Sequence, residues 1–217
     1  MVEMKTLSSH EEWLEARKNY IGGSDASAIL GMNPYKTNLE LWEEKTGQTE
    51  PEDISDKPYV KYGHDAEPLL RELFKLDFPE YEVGYVDNNI WFNQCRPWAH
   101  ASLDGWLTDK DGRFGILEIK TTNILQSMQK EKWRDRIPDN YFIQILHYMM
   151  VTGAEFAVLK AQLKYDFGNG DIMCQVRHYK IERADVEEDI AILETSEKEF
   201  WKLVQERKRP GLVLPEI

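Results

Sequence analysis

Three charged residues near the middle of the chain have the types and spacing that divalent-metal chemistry requires. Glu118 and Lys120 are two apart in the β-prone run 115–120, so a strand would present both on one face, about 6.6 Å apart. An Asp-Gly pair at 111–112 separates two β-type runs, which favours a hairpin turn. A hairpin centred there places Asp104 opposite Glu118, because the two residues lie equally far from the turn.

Two converging carboxylates and one ammonium group suit metal-assisted hydrolysis of phosphodiester bonds. Carboxylates this close repel each other unless one takes a proton or a cation lies between them, and hard cations such as Mg²⁺ prefer oxygen ligands. A lysine beside metal-bound water can orient that water or stabilise charge on a phosphate. The alternative is a solvent-facing hairpin with an ordinary surface ion pair, which contributes little to stability. The spacing alone supports both interpretations.

Two short helices near the N-terminus should carry a second set of polar groups. A capping-box pattern predicts a helix over 10–18 with Arg17 near its end. The glycine turn at 22–23 should lead into a helix capped by Ser24 and ended by Gly31. A glycine turn, a hydroxyl and free N–H groups can cradle a phosphate that an arginine grips. Capping alone is the commoner role of such a serine.

Hydrophobic periodicity predicts the elements that hold these groups. An amphipathic helix over 59–78 should carry Glu67, and Pro68 should kink it or mark its start. A helix over 139–151 carries Gln144, whose polar side chain on a largely apolar helix needs a buried partner. Further helices are expected over 38–46 and 184–207, and strands over 82–87, 90–92, 154–164 and 172–182, the last two joined across 168–170.

Composition favours a single soluble domain. A chain of 217 residues, 41% of them hydrophobic, can form one substantial core, and we expect one domain over 1–217. No stretch approaches about 18 uninterrupted apolar residues, and the N-terminus lacks a signal pattern. We therefore expect a cytoplasmic protein without a membrane partner. Cys95 and Cys174 are far apart and lack Cys-x-x-Cys spacing, which indicates neither a zinc site nor a disulfide scaffold.

The net charge of −12 argues at first against a nucleic-acid partner. It is not decisive, because DNA binding needs only a local basic lining and bound metals add positive charge. Acidic residues concentrate at 50–53 and 185–199, which we expect to face away from DNA. The segment 121–136 combines four basic residues with Trp133. It suits contact with a DNA backbone or an unpaired base, or equally a solvated helix face.

The ordered set of motifs resembles a known nuclease family. Asp104 followed by Glu118-Ile119-Lys120 resembles the motif of the PD-(D/E)xK nuclease superfamily. Further stretches, in the same order, resemble its lambda exonuclease or YqaJ-like viral recombinase branch, and together they span roughly two thirds of the chain. They are Trp13-x-x-x-Arg17 running into Ile21-Gly22-Gly23-Ser24-Asp25-Ala26, Tyr62-Gly63-x-x-x-Glu67, Ser102-x-Asp104-Gly105 and Tyr141-x-x-Gln144-x-x-x-Tyr148.

The resemblance implies an α/β fold with a restriction-endonuclease-like core, in which helices flank a mixed central β-sheet. It implies an exonuclease that digests double-stranded DNA from 5′ to 3′ with Mg²⁺, for which Mn²⁺ can substitute. The product would be a 3′ single-stranded overhang for phage-type homologous recombination in a bacterial or phage-infected cell. Lambda-type relatives form rings of three subunits, so the resemblance also implies a homotrimer on DNA ends and a single-strand annealing protein as partner.

The resemblance also assigns roles to particular residues. It gives the metal to Asp104, Glu118 and the Ile119 carbonyl, the attacking water to Lys120, and the orientation of that lysine to Gln144. Glu67 would line the metal site through water, although the helix dipole explains a first-turn acid as well. Arg17 and Ser24 would bind the DNA 5′-phosphate. His64 matches a position that some members use as a metal ligand, and we expect it to have no such role here.

Two rival functions have to be distinguished from the exonuclease. A restriction- or repair-type endonuclease would share the core, but an internal cut presents no terminal phosphate for a cradle at Arg17 and Ser24. A non-catalytic DNA-binding protein would keep the fold without the chemistry. The presence of Asp104, Glu118 and Lys120 together argues against it, because such a chain has no physical reason to retain a costly acidic cluster.

Overall fold

The chain is built of groups of consecutive helices and strands: four helices follow the first strand, five strands come next, and two helices separate them from the last two strands and the final helix. The computed structural model describes residues 1–125, 127–167 and 171–214. The β-strands are β1 (Val2–Thr6), β2 (Glu82–Gly84), β3 (Asn89–Asn93), β4 (His100–Ala101), β5 (Gly105–Thr108), β6 (Phe114–Asn123), β7 (Phe156–Asp166) and β8 (Ile172–Glu182). The α-helices are α1 (His10–Lys18), α2 (Gly23–Ile29), α3 (Asn38–Lys45), α4 (Pro58–Asp77), α5 (Ser127–Lys132), α6 (Asp139–Thr152) and α7 (Glu187–Gln205).

A five-stranded mixed sheet forms the centre of the fold, with strand order β2-β5-β6-β7-β8. Neighbours in this sheet are antiparallel except β6 and β7, which run parallel. The parallel pair needs a crossover connection, and α5 and α6 supply it. Strands β1, β3 and β4 form a separate three-stranded antiparallel sheet. The predicted mixed central sheet is thereby confirmed.

Helices cover both faces of the central sheet, and the strand pleat sends alternate residues of β6 to each face. On one face, Ile119 packs in a cluster with Leu70 and Phe74 of α4. On the other face, a larger cluster joins the sheet to α2, α6 and α7. Glu118 and Lys120, the neighbours of Ile119, lie on the α6 side. In the described ranges, no helix is long and apolar enough to cross a membrane.

Several predicted elements are confirmed closely. Helix α1 has the predicted bounds, and α6 ends at Gly153, whose φ of 76° is a conformation that glycine adopts readily. Strands β7 and β8 form the predicted hairpin, while its connection at 168–170 lies outside the described residues. The hairpin of β5 and β6 has the predicted register, since Gly105 pairs with Leu117 and Thr108 with Phe114.

Other elements differ from the sequence prediction. Helix α4 begins at Pro58 and passes through Pro68, so Pro68 does not mark its start. Helix α7 begins later and ends earlier than predicted, after a 3₁₀ turn at Arg183–Asp185. Strand β3 belongs to the small sheet with β1, a strand that the sequence did not reveal. The segment 121–136 begins as the end of β6 and only then becomes helical. Ser24 is inside α2, and Gly22 is the N-cap residue.

Candidate active site

Asp104, Glu118 and Lys120 converge where β5 begins beside β6. One step beyond the Gly105–Leu117 pair, the register places Asp104 opposite Glu118. The Asp104 Oδ2 atom accepts a hydrogen bond from the Ile119 N–H at 2.8 Å. The Lys120 Nζ and Glu118 Oε1 atoms form an ion pair at 2.5 Å. The structure thus brings together the three residues whose spacing first indicated metal chemistry.

Glu118 is a buried carboxylate with spare binding capacity. Its side chain is 1% exposed, and among the described residues its Oε2 atom has no hydrogen-bond partner. Burial, together with the nearby Asp104 charge, raises the pKa of Glu118 to about 8. Burial alone would lower the pKa of Lys120, but the charges of Glu118 and Asp104 raise it above its ordinary value. The cluster therefore holds negative charge that an additional cation would stabilise.

Glu67 contributes a third carboxylate from α4. Burial, and then the Asp104 charge, raise the pKa of Glu67 to about 7. Its Oε1 atom accepts a hydrogen bond from Arg71 Nη2 at 2.5 Å. Sequence reasoning missed Arg71, although its spacing of four from Glu67 is the ordinary signal of an ion pair on a helix. His64, one turn earlier on α4, lies edge-on to His10, with ring centroids 6.4 Å apart.

The oxygen atoms around Asp104 form a donor set that fits Mg²⁺. Across the described ranges, no three His, Cys, Asp or Glu side chains form a metal-binding group, so a metal would need a backbone donor as well. The N–H and C=O groups of a strand residue project to the same edge. Because the Ile119 N–H points to Asp104, the Ile119 carbonyl also projects to that edge. Two carboxylates and one carbonyl, completed by water, suit a hard cation.

Helix α6 closes the other side of the cluster with aromatic side chains. The Lys120 Nζ atom lies 5.5 Å from the ring centroid of Tyr141. Gln144 Nε2 donates a hydrogen bond to Tyr148 Oη at 2.8 Å. Burial, and then the Glu118 charge, raise the pKa of Tyr148. Gln144 therefore reaches the cluster through the Tyr148 phenol, which is a less direct link to Lys120 than the resemblance implied.

Arg17 and Ser24 line one pocket of about 460 Å³ between α1, α2 and α3. The lysines of this pocket are already paired, since Lys18 contacts Glu15, Lys36 contacts Glu44, and Lys45 contacts Asp25 at 2.8 Å. Arg17 instead stacks on Trp13, with its Cζ atom 4.0 Å from the ring centroid. Among the described ion pairs none involves Arg17, so its charge is available to an anion.

Two features of this pocket differ from what the sequence suggested. Glu50 and Pro51 border it, so the acidic loop at 50–53 does not face away from the candidate phosphate site. The cap of α2 is also not Ser24, because Asp25 Oδ2 accepts the Gly22 N–H at 3.0 Å. The Ser24 hydroxyl is therefore not needed for capping and lies exposed at the pocket.

The pocket and the acidic cluster are connected through α6. A Cβ atom at Gly23 would lie 2.5 Å from Tyr148 Cε1 and 2.9 Å from Gln144 Cγ. Only a glycine permits α2 to approach α6 this closely. Tyr148 is also the residue whose pKa responds to Glu118 and Lys120. The two predicted sites thus share one supporting layer of side chains.

A buried ion pair joins α6, which carries Gln144 and Tyr148, to α7. His147 Nδ1 lies 2.6 Å from Glu197 Oε1 of α7, and His147 Nε2 lies 2.8 Å from the His100 carbonyl oxygen. The Glu197 carboxylate and the His100 carbonyl both offer acceptor oxygens, so the protonated imidazole, with hydrogen on both ring nitrogens, satisfies both contacts. Burial opposes this charge, yet Glu197 raises the pKa of His147 above its ordinary value. Nothing in the sequence analysis marked Glu197 as a buried partner of His147.

Known proteins resemble this chain in sequence or in fold. YqaJ of Bacillus subtilis (strain 168) is 32% identical over 207 residues, covering 89% of this chain and 56% of that protein. The chain thus spans little more than half the length of this curated relative. An alkaline exonuclease from Laribacter hongkongensis (LHK-Exo) superposes with a TM-score of 0.66 at 20% identity, covering 91% of this chain and 94% of the exonuclease.

A second structure of LHK-Exo, in complex with dAMP, gives a TM-score of 0.60 at 18% identity, covering 92% of this chain and 96% of that one. At these identities the superpositions show a shared fold, and that fold is the restriction-endonuclease-like one that the sequence predicted. The family assignment comes from the sequence itself, because the model of the YqaJ-like viral recombinase domain matches residues 12–155. This match covers the acidic cluster, the Arg17 pocket and α6, and the chain belongs to the YqaJ-like viral recombinase domain family.

Proposed function

We propose that this protein is a Mg²⁺-dependent nuclease that digests double-stranded DNA from its 5′ ends. The product would be a 3′ single-stranded overhang for phage-type recombination, made in the cytoplasm of a bacterial or phage-infected cell. The observation that carries this proposal is the buried Glu118 carboxylate beside Asp104 and Lys120, whose Oε2 atom has no hydrogen-bond partner in the part of the chain that the structure describes. A surface ion pair, the alternative interpretation, would not be 1% exposed.

The residues of the cluster divide the chemistry among them. Asp104, Glu118 and the Ile119 carbonyl would hold the metal, and Glu67 would reach it through water. Bound Mg²⁺ would polarise the phosphate and make water a better nucleophile at neutral pH. Lys120 orients the attacking water and stabilises the charge that develops on the phosphate. Tyr148 and Gln144 keep the α6 side of the cluster in place. Because Glu118 is buried, few water molecules besides the attacking one can reach its carboxylate.

The position of Arg17 favours a terminal phosphate over an internal one. Its guanidinium group is held by Trp13 and has no described carboxylate partner, so it can offer a two-pronged grip to phosphate oxygens. Ser24 is exposed in the same pocket and can add a hydroxyl donor. An endonuclease has no use for such a grip, which is why the exonuclease is the better supported function.

Cleavage of duplexes with different ends tests this function directly. Linear duplex with 5′-phosphate ends should be degraded several-fold faster than the same duplex with 5′-hydroxyl ends, in Mg²⁺ but not in EDTA. Arg17→Ala should reduce that ratio towards one, because the charged hydrogen bonds to the phosphate are lost. Product lengths from strands labelled at the 5′ or 3′ end give the ratio and the polarity.

Lys18→Ala is the matched control, since Lys18 borders the same pocket but is already paired with Glu15. It should leave the end preference close to that of the wild type. Equal rates on both ends, or nicking of closed circular DNA, would point instead to the endonuclease. Absence of any cleavage under all metal conditions would leave a non-catalytic DNA-binding protein as the better account.

A closed ring would explain how an acidic chain stays on DNA. The basic side chains at 130–136 are exposed, and cyclic symmetry could turn them inward while α7 and its acidic residues face outward. We therefore propose a homotrimer of single-domain subunits that passes its single strand to an annealing protein. Light scattering at micromolar concentration should give about three times 25.5 kDa. A single-subunit mass, with cleavage spread over all substrate molecules at once, would contradict the ring.

A further inference from the structure

Arg71 contacts two of the three acidic residues of the cluster at once. Its side chain is 7% exposed and projects from α4. Its Nε atom donates a hydrogen bond to the Asp104 backbone carbonyl at 2.6 Å, and its Nη2 atom donates one to Glu67 Oε1 at 2.5 Å. Its Cζ atom lies 3.3 Å from the ring centroid of Tyr85. Two edges and one face of the guanidinium group are therefore occupied.

These contacts hold both the backbone and the side chain of Asp104. The Arg71 guanidinium holds the backbone carbonyl of Asp104, and the Ile119 N–H holds its carboxylate. Asp104 precedes β5, so strand pairing of its own does not set its direction. A residue outside the strand needs such contacts if its carboxylate is to keep one orientation. The guanidinium also joins α4 to the start of β5, and thereby sets the distance between Glu67 and Asp104.

The positive charge of Arg71 does not weaken the binding of a cation, because neighbouring groups neutralise or cover it. Glu67 pairs with it at 2.5 Å, and the Asp104 contact uses a carbonyl and leaves the carboxylate charge available. Tyr85 covers the guanidinium face. A lysine could not reproduce this pattern, since an ammonium group lacks the planar fork that bonds two separate acceptors.

We propose that Arg71 is the positioning residue that preorganises Asp104 and Glu67 for the divalent metal. This inference rests on the proposed metal-dependent function and extends it to a residue outside the PD-(D/E)xK motif. Arg71 sets the affinity for the metal without touching it. Residues that orient metal ligands typically change affinity by about tenfold to a hundredfold when they are replaced.

Titration calorimetry of the full chain with Mn²⁺ alone tests this role without relying on cleavage. Arg71→Met should bind Mn²⁺ about tenfold to a hundredfold more weakly than the wild type. Arg71→Lys keeps the charge but reaches only one acceptor, so its affinity should fall between the two. Arg96→Met is the matched control, because it breaks another partly buried arginine ion pair, with Glu194 at 2.6 Å. It should leave Mn²⁺ affinity unchanged.

The outcomes separate this inference from the function on which it rests. Wild-type affinity in Arg71→Met, with affinity lost in Asp104→Ala, would overturn the role of Arg71 and leave the metal site intact. Mn²⁺ binding that Asp104→Ala does not weaken would overturn both. If Arg71→Met does not fold, Arg71→Lys decides, because affinity equal to that of the wild type would overturn the proposal and a several-fold loss would support it.

Discussion

Replacing Glu118 by glutamine should abolish cleavage of linear duplex DNA, with a loss of about a thousandfold or more. The substitution keeps the size of the side chain and removes one charge of the metal donor set. A bound metal contributes several kcal/mol of charge stabilisation, and each 1.36 kcal/mol is about tenfold in rate. Asp104→Ala and Lys120→Ala should have comparable effects. Initial rates at saturating Mg²⁺ measure the loss.

The same variant should be more stable than the wild type when metal is absent and the pH is high. The pKa of Glu118 is raised to about 8 from 4.5, so the folded chain keeps a proton that the unfolded chain has lost. Stability therefore falls as the pH rises between these two values. Melting curves in EDTA should show a lower melting temperature at pH 9 than at pH 6 for the wild type. This difference should be smaller for Glu118→Gln.

Glu72→Gln is the control for both measurements, since Glu72 is an exposed residue of α4 that pairs only with Lys75 among the described residues. It should change neither rate nor stability appreciably. Cleavage by Glu118→Gln at the rate of the wild type would show that Glu118 has no role in the proposed chemistry. If the melting temperature of Glu118→Gln declined with pH as much as that of the wild type, the pH dependence would come from another group.

Replacing Glu197 by glutamine should destabilise the fold by about 3–5 kcal/mol, the typical cost of leaving a buried charge without its partner. His147 and Glu197 are both fully buried, and Glu197 also accepts a hydrogen bond from Trp98 Nε1 at 3.2 Å. For a chain of this size, the melting temperature should fall by about 6–20 °C. Thermal unfolding followed by circular dichroism gives the difference.

The pH dependence of stability checks that the ion pair is the cause. The folded-state pKa of His147 is raised, so its contribution is complete below the ordinary histidine value and is lost as the pH rises through the folded-state value. Glu197→Gln should remove that pH dependence. Glu194→Gln, which breaks a more exposed pair with Arg96, should cost less than about 1 kcal/mol. Equal effects of the two substitutions would contradict the assigned role of His147.

The sequence predicted those parts of the site that follow from local periodicity. Glu118 and Lys120 share a face because a strand repeats every two residues, and the hairpin turn then determines the position of Asp104. Gln144 was placed on α6 by helical spacing, and the predicted range of that helix, 139–151, ends one residue before the observed end at Thr152. In each case the deciding signal lies within a few residues or across one short turn.

The parts that were missed depend on contacts between distant segments. Arg71 meets a backbone carbonyl 33 positions away, and Glu197 meets a histidine 50 positions away. No local pattern marks a carbonyl as an acceptor or one acidic residue of α7 as buried. Strand β1 was missed because its pairing partner is β3, far along the chain. Ser24 was wrongly predicted as a cap because Gly22 and Asp25 satisfy the same local rule.

The parallel pairing of β6 with β7 also determines when the candidate site can form during folding. The hairpin of β5 and β6 closes over a few residues and can form early, whereas β7 joins only after the crossover through α5 and α6 is complete. Long-range pairing of this kind is slow, because chain entropy is lost before the contacts compensate for it. A nascent chain released only as far as Asn123 already carries Asp104, Glu118 and Lys120, yet it leaves them in water. Assembly of the candidate site is thus delayed until most of the chain has left the ribosome.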